Sequence, residues 1–168
     1  MAPTSALACR GRVEQARPMH QIRLSTGVDM YKKIMVAIGD DASSPIALQE
    51  AVHIARTNGA DLCIVHAVAE DDSEDSEAGK QEGQRLLDWA RGEATTTCSV
   101  EARLLKAEGE YGLNGIATAV AGAITEWGAD LLVVGTQGRR GLERLVIGSV
   151  AEKLVDTVEI SILLDRPH

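Results

Sequence analysis

Along most of the chain, short runs of continuously apolar residues alternate with longer stretches whose apolar positions recur every three or four residues. Lys33 to Ile38 (KIMVAI), Asp61 to Val68 (DLCIVHAV) and Asp130 to Val134 (DLLVV) read as buried strands, apolar throughout and too short for helices. Val100 to Lys106 (VEARLLK) alternates polar with apolar, as an edge strand does, and Ser161 to Leu164 is a last strand. The intervening spacing predicts helices. Ser44-Pro45 supplies an N-cap serine with proline at the first helical position. Ile46, Ala47, Ala51, Ile54 and Ala55 then share one face, and Gly59 is placed to end the helix in a left-handed cap. A second helix covers Ser76 to about Thr96 with Leu86, Leu87, Trp89 and Ala90 on its buried side; a third covers Asn114 to Trp127 and stops at Gly128; a fourth covers Ser149 to Val155.

Asn58-Gly-Ala-Asp-Leu-Cys-Ile-Val and Trp127-Gly-Ala-Asp-Leu-Leu-Val-Val repeat one design: a helix stops on glycine, turns through Ala-Asp and enters a buried strand. Five apolar strands separated by helices are the signature of a parallel sheet covered on both faces, an open α/β domain.

Composition narrows this picture. The chain has 168 residues, enough for one domain but few for two. It contains no Phe, two Trp and two Tyr, so the core is aliphatic and stacking platforms for single-stranded nucleic acid are lacking. A net charge of −8 repels phosphate backbones, which argues against nucleic acid as a partner. Cys9, Cys63 and Cys98 are odd in number and far apart, which fits no disulfide framework and no Cys-x-x-Cys pair; with no apolar stretch of spanning length, a cytoplasmic protein without a membrane partner is expected. Residues 1–29 are of different material, with Arg10, Arg12, Arg17 and Arg23 against Glu14 and Asp29 and no sustained period. They read as an extension outside the fold, from a mis-assigned start ahead of Met30 or as an organelle transit peptide, leaving 30–168 as the domain. The acidic run Glu70 to Asp75 reads as a solvated loop leading into a helix start rather than a metal or partner site.

The chemistry concentrates in Gly135-Thr-Gln-Gly-Arg-Arg-Gly-Leu-Glu-Arg-Leu-Val-Ile-Gly-Ser149. It begins at a strand end and finishes at a helix start, where open α/β sheets bind ligands. Gly135 at the strand end lets the main chain approach a ligand closely. Gly148 and Ser149 open a helix whose first amides lack internal partners and favour an anion. Ser149-Val-Ala-Glu152 also matches a capping box, a competing use of the serine hydroxyl. Arg139, Arg140 and Arg144 are candidate phosphate clamps or plain solvated charges.

The spacing Gly135-x2-Gly138-x9-Gly148-Ser149 resembles the ATP-binding signature of the universal stress protein family, and MYKKIMVAI, His66, GADLLVVG and GRRGLERLVIGSVAEKLV agree with it over about residues 30–166. The resemblance implies an open five-stranded parallel sheet in the order 3-2-1-4-5, Rossmann-like and akin to the adenine nucleotide alpha hydrolases, and a homodimer pairing through its last strands. It implies ATP as ligand, with AMP or another adenine nucleotide as alternatives and Mg²⁺ accompanying ATP. Carried over by position, Gly138, Gly148, Ser149 and Val150 meet the phosphates, with Arg139 and Ala151 beside them. Gly135 and Gln137 lie by the ribose and phosphates; Ala37, Ile38, Gly39 and Ala67 line the base and ribose side. Two departures stand out. Gly39 occupies the place of the family's aspartate after the first strand, so that Asp40 is the acid left to serve ribose or metal. Glu159-Ile-Ser-Ile-Leu-Leu replaces a Cys-Pro-Val start to the last strand.

No Gly-x-Gly-x-x-Gly follows the first strand, no Walker loop is present, and no nucleophile–base–acid set is evident. His66 is either a base near a strand end or, the favoured reading, a structural histidine. The expected function is therefore a nucleotide-binding stress or signalling module with at most weak ATP hydrolysis or autophosphorylation. The alternatives are a dimeric interaction protein of the same fold without nucleotide, or a slow ATPase.

Overall fold

The computed structural model describes residues 30–69, 74–94, 99–107, 113–136 and 149–166. Strands and helices alternate in chain order: β1 (Lys33–Ala37), α1 (Ser44–Asn58), β2 (Asp61–Ala69), α2 (Glu74–Glu93), β3 (Val100–Ala107), α3 (Leu113–Trp127), β4 (Leu131–Gly135), α4 (Ser149–Thr157) and β5 (Ser161–Asp165). The five strands form one sheet in the order β3-β2-β1-β4-β5, and every neighbouring pair is parallel. Val100–Ala107 is an edge strand, as its alternation predicts.

The period of two along the strands sorts the core. Ile34, Val36, Leu62, Ile64, Leu131 and Val133 face α1 and α2, meeting Ala47, Leu48, Ala51, Leu87 and Ala90. Met35, Cys63, Val65, Leu132 and Val134 face α3 and α4, meeting Ala117, Val120, Ile124, Ala151 and Leu154. Alanines at the helix contacts let the backbones approach the sheet closely, so a core without Phe still fills at normal density. Each buried Leu, Ile, Val or Met contributes about 1.5–3 kcal/mol of transfer free energy.

One expectation fails. Trp89 is exposed rather than buried. Leu87, Ala90 and Ala94 are the residues α2 turns inward, and Trp89 lies about 200° around the helix from Leu87.

The repeated Gly-Ala-Asp segments fasten β1. Gly59 and Gly128 take left-handed φ values of 64° and 74°, and Ala60 and Ala129 bond back to Ala55 and Ile124. The Asp61 amide donates to the Lys32 carbonyl and the Asp130 amide to the Lys33 carbonyl. The Asp130 carboxylate also accepts from the amides of Lys32 and Lys33 at 2.8 and 3.1 Å. Nearby, Arg103 donates to Glu101 at 2.6 Å and Trp127 Nε1 donates to the same carboxylate at 3.1 Å. The Arg103 hydrogen bond, chiefly, holds the Glu101 carboxyl below the usual carboxylate range. This is a surface network, worth little to stability in high dielectric.

Cys63 is fully buried in the centre of β2. Burial, with the Glu101 charge adding to it, pushes its thiol up from an ordinary 9.0 to about 12. A thiol that ionises later in the folded than in the unfolded chain contributes stability in full below the unfolded value and loses it as pH rises through the folded one. Wild-type stability to urea should therefore fall between about pH 9 and pH 12 more steeply than that of Cys63→Val, which keeps the apolar volume but cannot ionise. Parallel pH profiles for the two proteins would overturn this account.

Candidate functional site

The site follows from unequal strand lengths. β1 pairs with β2 as far as Ala37 opposite Val65, while β2 continues, paired with β3, to Ala69. Beyond β1 the main chain of Ala67, paired with β3 on one side, therefore has no strand on its β1 side. Strand order also reverses here, β2 and β4 flanking β1 on opposite sides, which makes this the switch point at which open sheets take ligands.

A cavity of about 290 Å³ opens at this position. Ala37, Ile38, Gly39, Asp40, Ala67, Gly135, Val150 and Ala151, all site candidates from sequence, line it together. Gln137, Gly138, Arg139 and Gly148 lie outside the described residues, as do Arg140, Arg144 and the side chain of Ser149, so the capping-box and arginine-clamp readings do too. Ser149 does begin α4.

Residues outside the carried-over ligand set complete the walls. Val65, Ile116, Val120, Val134 and Leu154 form an apolar side, and Asp41, Ser44 and His66 add to a polar one. Ile116 and Val120 belong to the helix expected over Asn114–Trp127, on its apolar side. Only the end of the sheet reveals that this side runs past the strands into open space.

The polar rim is built by Asp41. Its carboxylate accepts from the Ser43 amide at 2.8 Å, the Ser44 amide at 3.1 Å and the Ser44 hydroxyl at 3.1 Å, and from the Ser43 hydroxyl as well. Ser44 Oγ in turn accepts from the Gly39 amide at 2.7 Å. Ser44 is thus not the N-cap: Ser43 occupies that position without a side-chain capping bond, and Asp41 satisfies the free amides instead. Proline at the start of α1 and the left-handed stop at Gly59 are as expected.

Two glycines are explained by this loop. A Cβ on Gly135 would stand 2.3 Å from Ser43 Oγ and 2.7 Å from Ser43 Cβ, so Gly135 admits the start of α1 against β4. Close approach is indeed its use, but the approaching group is this chain's own. A Cβ on Gly39 would stand 2.9 Å from Asp41 Oδ2, so the missing side chain at 39 and the capping carboxylate at 41 belong together. After Gly135 the chain is held by Thr136, whose amide and hydroxyl both donate to the Asp165 carbonyl of β5, at 2.7 and 3.0 Å.

Val150 and Ala151 bring the first turn of α4 to the cavity edge. Main-chain amides of a first turn have no partners within their helix and carry the positive end of its dipole. α1 also starts at this rim, but Asp41 supplies both partner and negative charge there. The rim is therefore electrostatically two-sided, with Asp40 and Asp41 at the β1 exit and the start of α4 opposite. No hydrogen bond engages Asp40 among the described residues, and it is exposed. No group of three or more His, Cys, Asp or Glu that could hold a metal ion occurs among the described residues, and among them no helix is long and apolar enough to cross a membrane.

The doubly wound sheet and the cleft at its switch point define a Rossmann-like α/β protein with a candidate ligand site over the carboxyl ends of its strands. Residues 30–166 match the universal stress protein family, and the chain belongs to that family. It is 30% identical over 154 residues to universal stress protein YxiE of Bacillus subtilis, covering 82% of this chain and all of that one. Universal stress protein MJ0531 of Methanocaldococcus jannaschii is 31% identical over 155 residues, covering 84% and 85%. Among solved structures, a universal stress protein in complex with cAMP superposes with a TM-score of 0.63 at 25% identity, covering 81% of this chain and 97% of that one.

If the Asp41 bonds organise the rim, Asp41→Ala should cost about 1–3 kcal/mol in chemical denaturation. Asp40→Ala, at an exposed and unbonded position, should stay within about 0.5 kcal/mol. Equal losses for the two would show that the capping assignment is wrong.

Proposed function

We propose that the protein is a nucleotide-binding universal stress protein that takes an adenine nucleotide, ATP foremost, in the cavity at the switch point. The observation that carries this reading is that the first turn of α4 borders the same cavity as the carboxyl ends of β1, β2 and β4. Main-chain amides at a helix start suit an anionic group, and the apolar walls from α3 and the sheet suit a flat base. The charges fix the orientation: phosphates lie toward α4, away from Asp40 and Asp41, with Gly138, Gly148, Ser149, Val150 and Arg139 around them. The base and ribose lie toward Ala37, Gly39 and Ala67, where the main chain of Ala67, unpaired on its β1 side, offers hydrogen bonds to a base edge. A related universal stress protein solved in complex with cAMP supports an adenine nucleotide as the ligand.

Mg²⁺ binds through one or two carboxylates together with phosphate oxygens and water. Asp40 fits that modest requirement at the rim, whereas the Asp41 carboxylate is already committed. On this reading the protein binds nucleotide and signals, with at most weak hydrolysis. The β5 edge pairs two copies into a homodimer, and residues 1–29 stand outside the domain.

Isothermal titration with ATP, with and without Mg²⁺, and with AMP and cAMP tests the reading. Saturable binding is expected, and Gly148→Val should weaken ATP at least about tenfold by placing a side chain where main-chain amides meet phosphate. Absence of heat from every one of these ligands at millimolar concentration, with no nucleotide carried through gentle purification, would abandon the nucleotide reading for a dimeric interaction protein.

A further inference from the structure

Among the described ionisable residues that line the cavity (Asp40, Asp41 and His66), His66 is the one that the nucleotide reading leaves without a task. It belongs to the face of β2 turned toward α1 and α2, opposite the face where Val65 meets α3 and α4. Its Nδ1 lies 2.8 Å from the Ile38 carbonyl oxygen. A carbonyl only accepts, so Nδ1 carries the proton and donates. Ile38 is the first residue beyond β1, and its amide still follows the ladder, donating to the Val65 carbonyl at 3.0 Å. In a parallel ladder continued by one step, the Ile38 carbonyl would accept from the Ala67 amide. The imidazole takes that carbonyl instead.

A second, independent feature shows that the ring's place is reserved. Gly83 lies inside α2, a helix of 20 residues, where glycine costs about 1 kcal/mol against alanine. A Cβ on Gly83 would stand 2.7 Å from His66 Cδ2 and 2.8 Å from Leu104 Cδ1. The glycine thus makes room for the imidazole between α2 and the end of β1.

We propose that His66 is a positioning residue for the ligand site: by holding the Ile38 carbonyl it fixes the exit of β1, and so Gly39 and Asp40, and keeps the Ala67 main chain free for a ligand. The nucleotide assignment in this proposal rests on the function proposed above; the hold on β1 does not. Asparagine can present its amide nitrogen about where Nδ1 stands, whereas leucine cannot donate at all, so the two substitutions separate hydrogen bonding from packing.

The experiment compares wild type, His66→Asn, His66→Leu and Gly83→Ala by amide hydrogen exchange across residues 38–41 and 67, by ¹⁵N spectra of the imidazole, and by titration with ATP and cAMP. The wild-type ring should show the Nδ1–H tautomer at neutral pH. His66→Leu and Gly83→Ala should speed exchange at Gly39 and Asp40 and weaken nucleotide about tenfold, the worth of one hydrogen bond. His66→Asn should restore most of both. If wild type binds no nucleotide, the functional reading falls, and the exchange data alone then judge the hold on β1. An Nε2–H tautomer, or a His66→Leu protein with wild-type exchange at residues 38–41, overturns the proposal. So does wild-type nucleotide affinity in His66→Leu where wild type binds. Should His66→Leu fail to fold, Gly83→Ala, which retains the histidine but crowds its ring and favours its own helix, carries the same test.

Discussion

β1 is the central strand of the sheet and ends four residues before its neighbour β2 does: β1 stops at Ala37 opposite Val65, and β2 runs on to Ala69. A central strand that stops early leaves main-chain groups of its neighbour unpaired inside the molecule. Such groups must find partners, because a buried amide without one costs free energy comparable to a lost hydrogen bond. The chain answers in part with a side chain, His66 on the Ile38 carbonyl. The remaining main chain, at Ala67, faces the cavity. The site is thus a consequence of strand length, and everything around it either tolerates or exploits that gap.

Two helices begin beside the gap, and they are treated differently. The first amides of α1 are taken by Asp41, which also sets a negative charge against the positive end of that helix. The nine residues of α4 begin at Ser149 with Glu152 in their first turn, an exposed acid that does not line the cavity. An anion approaching the cavity meets Asp40 and Asp41 at the β1 exit and the main-chain start of α4 opposite. Negative charge at the β1 exit disfavours an anion there, which biases a molecule with one charged and one apolar end to lie with its charge away from Asp40 and Asp41. A sheet topology alone gives no such direction; it comes from which helix carries its own cap.

The fold was largely legible in the sequence because its signals are local and repeated. Continuous apolar strands, glycine stops with left-handed φ at Gly59 and Gly128, and an alternating edge strand each have one physical reading. The site was legible only where the glycine motif touches it. Trp89 was misplaced because an aromatic beside Leu86, Leu87 and Ala90 looks like core until the direction of the buried stripe is fixed by the sheet. Ser44 was misread because Asp41, Ser43 and Ser44 compete for the same amides, and Ser-Pro is the stronger local pattern. The partnership of His66 with Gly83 was invisible because it joins a strand to a helix across a loop, and because α2 carries Gly79 and Gly92 as well, where no neighbour fills the side-chain space.

Gly135 shows why a motif glycine is weak evidence for ligand contact by itself. It opens the signature spacing and lines the cavity, yet the atoms that forbid a side chain there belong to Ser43, not to any ligand. Replacing it would push the start of α1, and with it Asp41, Gly39 and the whole rim. Lost binding in such a variant would look like a lost phosphate contact while reporting only a displaced helix. The same holds in milder form for Gly39, whose missing side chain accommodates the Asp41 carboxylate. Substitutions can therefore separate ligand contact from architecture only at positions whose side-chain space is not already filled by the protein. Near α4, Val150 meets that condition better than either glycine but not fully: it is half-buried and lines the cavity, yet it also packs against the cluster in which Ala151 and Leu154 are buried.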